Sequence, residues 1–232
     1  MQANNSILLH IESATDICSV ALSRGKELLS IRESKGSRNH ASQITLFIEE
    51  AIDLAGLKIS DLSALVLSEG PGSYTSLRVG MSVAKGICFG LDIPLIAVNT
   101  LHALACAARD KHPGFDLICP MIDARRMEVY ASLYDDQMHL LHENRPVILE
   151  ADSFDTYFNS GRSILFCGNG ADKSRDLYED RNCLFSSVEC SAKNLVQPGF
   201  DSFVKEAFED IAYFAPNYIK SPNITMAKKR LL

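Results

Sequence analysis

The sequence predicts an α/β fold built from two related lobes, each a β-sheet with helices packed on it. Three observations point there. Apolar strand-like runs alternate with amphipathic helical patterns. A short motif occurs twice: Ile11-Glu12-Ser13-Ala14 ends one strand and Ile122-Asp123-Ala124-Arg125 ends another, each followed by a hairpin. The spacing, 123 − 12 = 111 residues, is close to half of the 232-residue chain. Finally, an apolar run from Ala64 to Leu67 meets the turn Ser68-Glu69-Gly70-Pro71-Gly72-Ser73 and then a helical pattern, a strand–turn–helix unit.

Ile7 to Ile11 reads as a strand, and Ile17 to Leu22 with Lys26 to Ile31 as a hairpin turning at Arg24-Gly25. Ala41 to Ala55 is the clearest helix: Ile44, Phe47, Ile48, Ala51, Ile52 and Ala55 share one face, and Gly56 follows as a C-cap. Leu62 to Leu67 is a strand and Thr75 to Leu91 a second helix, carrying Gly80, Ser82, Ala84, Gly86 and Gly90. Glycine disfavours a helix interior by about 1 kcal/mol per site, so several together imply close backbone packing, against the chain's own sheet or against another chain. Ile93 to Val98 is a strand and Thr100 to Arg109 a short helix begun at Asn99 or Thr100. The second part starts at Leu117, with a hairpin strand from Glu128 to Tyr134 and a further strand from Ser163 to Cys167 ending in Gly168-Asn169-Gly170. Asp201 to Tyr213 reads as a final amphipathic helix, with Phe203, Val204, Ala207, Phe208, Ile211 and Ala212 on one face. This divides the chain into a first lobe over 1–101, a second over 102–199, a C-terminal helix over 200–216 packing back on the first lobe, and a tail over 217–232.

Composition narrows the function classes. The apolar and charged fractions, 47% and 22%, are those of an ordinary globular protein. A net charge of −6 disfavours a lone nucleic-acid binder; the one basic run is Lys228-Lys229-Arg230. Seven cysteines, an odd number without a CxxC, fit free thiols in a reducing cytoplasm better than a disulfide framework. The most apolar stretch, Ile87 to Val98, is interrupted by Asp92 and Pro94, so no membrane span is expected.

Several residues are candidates for chemistry. Gly70 and Gly72 around Pro71, with Ser73 or Thr75 as helix cap, would present N–H groups to an anion, or form a plain structural turn. The lysine of GxxxxGK[ST] is missing, so this is not a Walker loop. Glu12 and Asp123, each at a strand end, would hold a metal–phosphate group across a cleft, or simply cap their turns. His139 and His142 lie three apart in a strand or loop, where they would face opposite sides; no HxxxH or HExxH occurs and no metal site is expected. Arg78, on the helix after the glycine turn, is the candidate for a charged contact.

Glu12-Ser13-Ala14-Thr15, Ile17 to Leu22, Gly70 to Gly80 and Ile122 to Tyr130 together resemble the TsaB family, also called YeaZ, and Pro216-Asn217-Tyr218-Ile219-Lys220 resembles its terminal segment. The resemblance covers most of 6–134 and little of about 150–200. It implies the actin-like ATPase (ASKHA, RNase H-like) fold and a role in making threonylcarbamoyladenosine beside the anticodon of tRNA. In that role the chain is a non-catalytic scaffold for TsaD, the catalytic paralogue, with TsaE as an ATPase partner. A homodimer is expected in isolation, and tRNA is met mainly through the complex. No cofactor is implied for the chain itself, with ATP or ADP and Mg²⁺ allowed at the complex interface. Any nucleotide or anion would be met by Glu12, Ser13, Thr15, Gly70, Gly72, Ser73, Asp123 and Arg125. The family's usual Asp at the first strand end is Glu12 here, which disfavours autonomous ATP binding. The partner surface implied is the first two helices, through His40, Ile44, Phe47, Ile48, Tyr74, Arg78, Met81, Ser82 and Lys85. Two alternatives are a standalone actin-like ATP-binding enzyme and a glycoprotease-like metallohydrolase.

Overall fold

The computed structural model describes residues 3–36 and 40–220, with His40 and Ala41 described as backbone alone. The first sheet holds β1 (Ile7–Glu12), β2 (Ile17–Arg24), β3 (Glu27–Lys35), β4 (Leu62–Gly70) and β5 (Leu95–Asn99). Its helices are α1 (His40–Ala55), between β3 and β4, and α2 (Tyr74–Leu91), between β4 and β5. Helix α3 (Thr100–Lys111) leads to the second sheet: β6 (Leu117–Asp123), β7 (Glu128–Asp135), β8 (Leu140–Ile148), β9 (Ile164–Cys167) and β10 (Cys183–Phe185). The short helices α4 (Asp155–Phe158) and α5 (Arg175–Tyr178) interrupt it, and α6 (Val196–Val204) follows.

Both sheets have one plan. The orders are β3-β2-β1-β4-β5 and β8-β7-β6-β9-β10. In each, the first three strands form an antiparallel meander and the last two add in parallel. The chain therefore has the two-lobed, duplicated fold expected of the actin-like class.

Strand alternation sorts the cores. On β1, Ile7, Leu9 and Ile11 face α1 and α2, while Leu8 points to the other side, where Val66, Ile96, Ala103 and Phe200 meet it. On β6, Leu117, Cys119 and Met121 face the aromatic core of α4 and α5, while Ile118 and Ile122 face α3. Helix α3 is shared: Ala103 packs on the first sheet, and Leu101, Leu104, Ala105 and Ala108 pack on the second.

The duplication is real, but its register is not gapless. Ile7 pairs with Arg24 and Leu117 with Asp135; at the other end Glu12 pairs with Ser19 and Ile122 with Tyr130. Ile7, Leu9 and Ile11 face the outer helices of their sheet as Leu117, Cys119 and Met121 do, so the first strands correspond at 117 − 7 = 110 residues and the second strands at 135 − 24 = 111. The second lobe has one extra residue in its turn. Glu12 is the counterpart of Ile122, not of Asp123. A one-residue slip reverses the face of a strand residue, so the two carboxylates are not equivalent.

The last helix also differs from expectation. It spans Val196–Val204 rather than Asp201 to Tyr213. Glu206 takes a left-handed φ of 54°, which breaks the helix. The following chain then serves the open edge of β5: the Glu209 N–H donates to the Leu95 carbonyl at 2.9 Å. Beyond it, Ile211 and Phe214 pack against the α1–α2 core. A strand edge in need of partners outweighs a helical apolar pattern here.

Phe166 is fully buried, with Phe154, Tyr178 and Phe185 rings 5.2–5.6 Å from its own. Phe166→Ala is expected to destabilise the protein by about 3–5 kcal/mol in urea unfolding. A loss below about 1 kcal/mol would contradict this account of the second core.

Candidate functional site

The glycine loop and the β1–β2 turn are packed directly against each other. The Ser73 N–H donates to the Ala14 carbonyl at 2.6 Å. A Cβ on Gly72 would overlap that same carbonyl and the Ala14 Cβ, so only glycine fits. Nearly two turns into α2, a Cβ on Gly80 would overlap Ser13 Oγ, a buried hydroxyl without a hydrogen-bond partner among the described residues. Ser73 Oγ caps α2 by accepting the Ser76 N–H at 3.5 Å, and the Gly70 N–H donates to Thr100 Oγ1 at 3.1 Å. Thr15 Oγ1 accepts the Ile17 N–H. The loop expected to cradle an anion therefore directs its Gly70 and Ser73 donors inward, and its glycines serve close packing.

Glu12 is 1% exposed. Its Oε1 accepts the Ala14 N–H at 2.7 Å and the Ser68 hydroxyl at 2.9 Å. Burial pushes its pKa up to about 7, and these hydrogen bonds only partly oppose that. Asp123, by contrast, is exposed: its Oδ1 takes Lys173 Nζ at 2.6 Å and the Arg125 N–H at 2.5 Å. One carboxylate is sealed against Ser68 and the other is held by a lysine, and each accepts the N–H two residues on, as a turn cap does. Among the described residues no three His, Cys, Asp or Glu side chains converge to hold a metal ion. His139 pairs with Asp135 at 2.9 Å, while His142 bonds the Tyr157 hydroxyl. All seven thiols are free, and burial pushes those of Cys18, Cys88 and Cys106 up to about 11.

The candidate contact helices divide into buried and available positions. Ile44 and Ile48 belong to the chain's own core, because α1 lays its apolar face on β2 and β3; Phe47 is half-buried there. These three face the sheet, although Ile48 still shows at the floor of a groove between the helices. On α2, Met81 is half-buried against the same core, Lys85 is half-buried, and Ser82 is exposed. The His40 side chain lies outside the described residues. Arg78 is engaged within the chain. Its guanidinium lies 4.1 Å from the Tyr74 ring centroid, and its Nε donates to the Tyr218 hydroxyl at 3.2 Å. The Tyr74 and Tyr218 rings are 4.5 Å apart.

Tyr218 belongs to a strap, the segment Pro216 to Lys220 that resembles the family's terminal segment, whose contacts the sequence did not show. The Asn217 N–H donates to the Glu69 carbonyl at 2.8 Å, its own carbonyl lies over Gly70, and Lys220 reaches Glu128 on β7 at 2.5 Å. The strap thus ties the glycine loop of one lobe to the hairpin of the other.

Comparison with known proteins places this geometry in a family. The model described as TsaD, tRNA N6-adenosine threonylcarbamoyltransferase, matches residues 31–229. The tRNA threonylcarbamoyladenosine biosynthesis protein TsaB of Bacillus subtilis is 29% identical, over 92% of this chain and 93% of its own. The TsaB protein of Haemophilus influenzae is 39% identical over 55% of this chain and 53% of its own. The structure of YeaZ from Pseudomonas aeruginosa superposes with a TM-score of 0.79 at 24% identity, covering 92% of this chain and 99% of that one; this likeness concerns the fold. The chain belongs to the family of that TsaD model, and within it to the TsaB (YeaZ) proteins.

Glu12 generates a pH prediction. Its folded pKa of about 7 exceeds the ordinary 4.5, so the folded state holds the proton more tightly and stability falls as pH rises through that window. Buried His10, pulled down to about 3, acts oppositely as pH falls below 6.5. The contrast between variant and parent therefore isolates Glu12. Glu12→Gln keeps the acceptor for Ala14 and Ser68. Its stability relative to the parent is expected to rise by about 3 kcal/mol between pH 4.5 and 8, by urea unfolding at several pH values. A difference independent of pH would contradict it.

Proposed function

We propose that this TsaB-family chain is the scaffold subunit of a tRNA threonylcarbamoyladenosine synthase, docking the catalytic TsaD subunit for modification of the adenosine beside the tRNA anticodon. The observation that carries the reading is the outward groove between α1 and α2. It is about 370 Å³ in volume, floored by Ile48, Ile52, Ile59, Val83 and Ile87 and rimmed by Thr45, Glu49 and Asp53. An apolar groove with a polar rim is the anatomy of a protein contact. On α2, Gly86 and Gly90 have open space where side chains would stand, so a partner's backbone can approach closely. The TsaB relatives supply the process, and the TsaD-like family model supplies the kind of partner.

In this reading the chain contributes no catalytic group. Glu12 is sealed by Ser68 and the Ala14 N–H, and the glycine loop is packed onto Ala14 at Gly72. The nucleotide residues named from the sequence do not fit a cradle within the chain alone. ATP or ADP with Mg²⁺ belongs instead at the complex interface, with TsaE as the ATPase partner. In isolation the same groove serves a homodimer. The complex works in the cytoplasm, where its tRNA is; among the described residues no helix is long and apolar enough to cross a membrane. The packed glycine corner speaks against a standalone ATP-binding enzyme.

Thr45 is exposed on the groove rim. Thr45→Arg is expected to weaken association with TsaD from the same organism at least tenfold, measured by size-exclusion chromatography with light scattering. Stability should stay within about 0.5 kcal/mol of the parent. Co-elution equal to the parent's would place the contact elsewhere, and a parent chain that never co-elutes would overturn the scaffold reading.

A further inference from the structure

We propose that the β6–β7 turn is an RNA-phosphate contact, made by Arg125 and Arg126; the inference rests on the tRNA-modification reading above. Both arginines are exposed, and both hold left-handed backbones, with φ of 77° and 53°. That region disfavours side chains other than Gly, Asn or Asp. Glycine would relax the turn at both positions, yet two long cations stand there in succession. Strained residues at a surface turn suggest a use for the side chains they display.

The backbone beneath them is fixed. The Arg125 N–H donates to Asp123 Oδ1 at 2.5 Å, the Glu128 N–H to the Arg125 carbonyl at 3.1 Å, and the Ala124 N–H to the Glu128 carbonyl at 3.1 Å. The two acids that might neutralise the arginines are occupied. Asp123 is paired with Lys173 at 2.6 Å and Glu128 with Lys220 at 2.5 Å. Among the described residues neither arginine has an ion pair of its own. The turn and its ligands therefore carry four cations against two acids, a local +2 on a chain whose net charge is −6. This local excess of positive charge suits the turn to a phosphodiester. The planar guanidinium matches phosphate oxygens in pairs. Exposed Met127 beside them offers an apolar contact to an adjacent ribose or base.

The test is the double variant R125G/R126G in complex with the TsaD subunit, titrated with an unmodified tRNA transcript by fluorescence anisotropy over a range of KCl. Glycine accepts the left-handed backbone, so unfolding of the variant is expected at the parent's temperature or higher. Binding at about 0.1 M salt should weaken roughly tenfold. The slope of log K against log salt should fall by about 1.4, the release expected for two lost contacts to single-stranded phosphates. Unchanged affinity and slope would overturn the assignment. Loss of co-elution with TsaD in the absence of RNA would also overturn it, showing that the arginines meet a protein. A parent chain that fails to assemble overturns the scaffold reading first, and this inference with it.

Discussion

The structure turns on one contact: the glycine loop after β4 lies on the turn after β1. Because Gly72 has no side chain, the Ser73 N–H can reach the Ala14 carbonyl. That fixes the start of α2, and Gly80 then lets the helix settle on Ser13. With α2 seated, the end of β1 is closed and Glu12 is sealed from water with Ser68. The corner between the two turns is thereby filled by the chain's own backbone.

Helices α1 and α2 share one core beneath them and leave an apolar groove between them. The strap over residues 216–220 crosses from the glycine loop to the β7 hairpin, with Tyr218 on Tyr74 and Arg78. It ties the two lobes together at that point. A scaffold needs a rigid face more than a moving cleft, and these contacts supply rigidity.

Much of the fold was legible because its signals are local. The i, i+3, i+4 pattern of Ile44 to Ala55 defined α1, and the short apolar run from Ile7 to Ile11 defined β1. The repeat was visible too, but its register was not. The one extra residue in the second turn leaves no mark in sequence, and only the ladders together with the strand faces reveal that Ile122, not Asp123, answers Glu12. The final helix was overextended because an apolar pattern near Phe208 and Ile211 says nothing of a strand edge waiting at Leu95. The candidate site suffered most. Whether Gly72 faces a ligand or Ala14, and whether Arg78 faces a partner or Tyr218, depends on long-range contacts that no spacing encodes.

The most direct test of the closed corner is isothermal titration of the isolated chain with Mg-ATP. The account predicts no saturable heat up to about millimolar nucleotide, the range in which binding free energy falls to roughly 4 kcal/mol. Stoichiometric binding at micromolar concentration would contradict it, because the corner would then have to open and Glu12 would have to face the cleft.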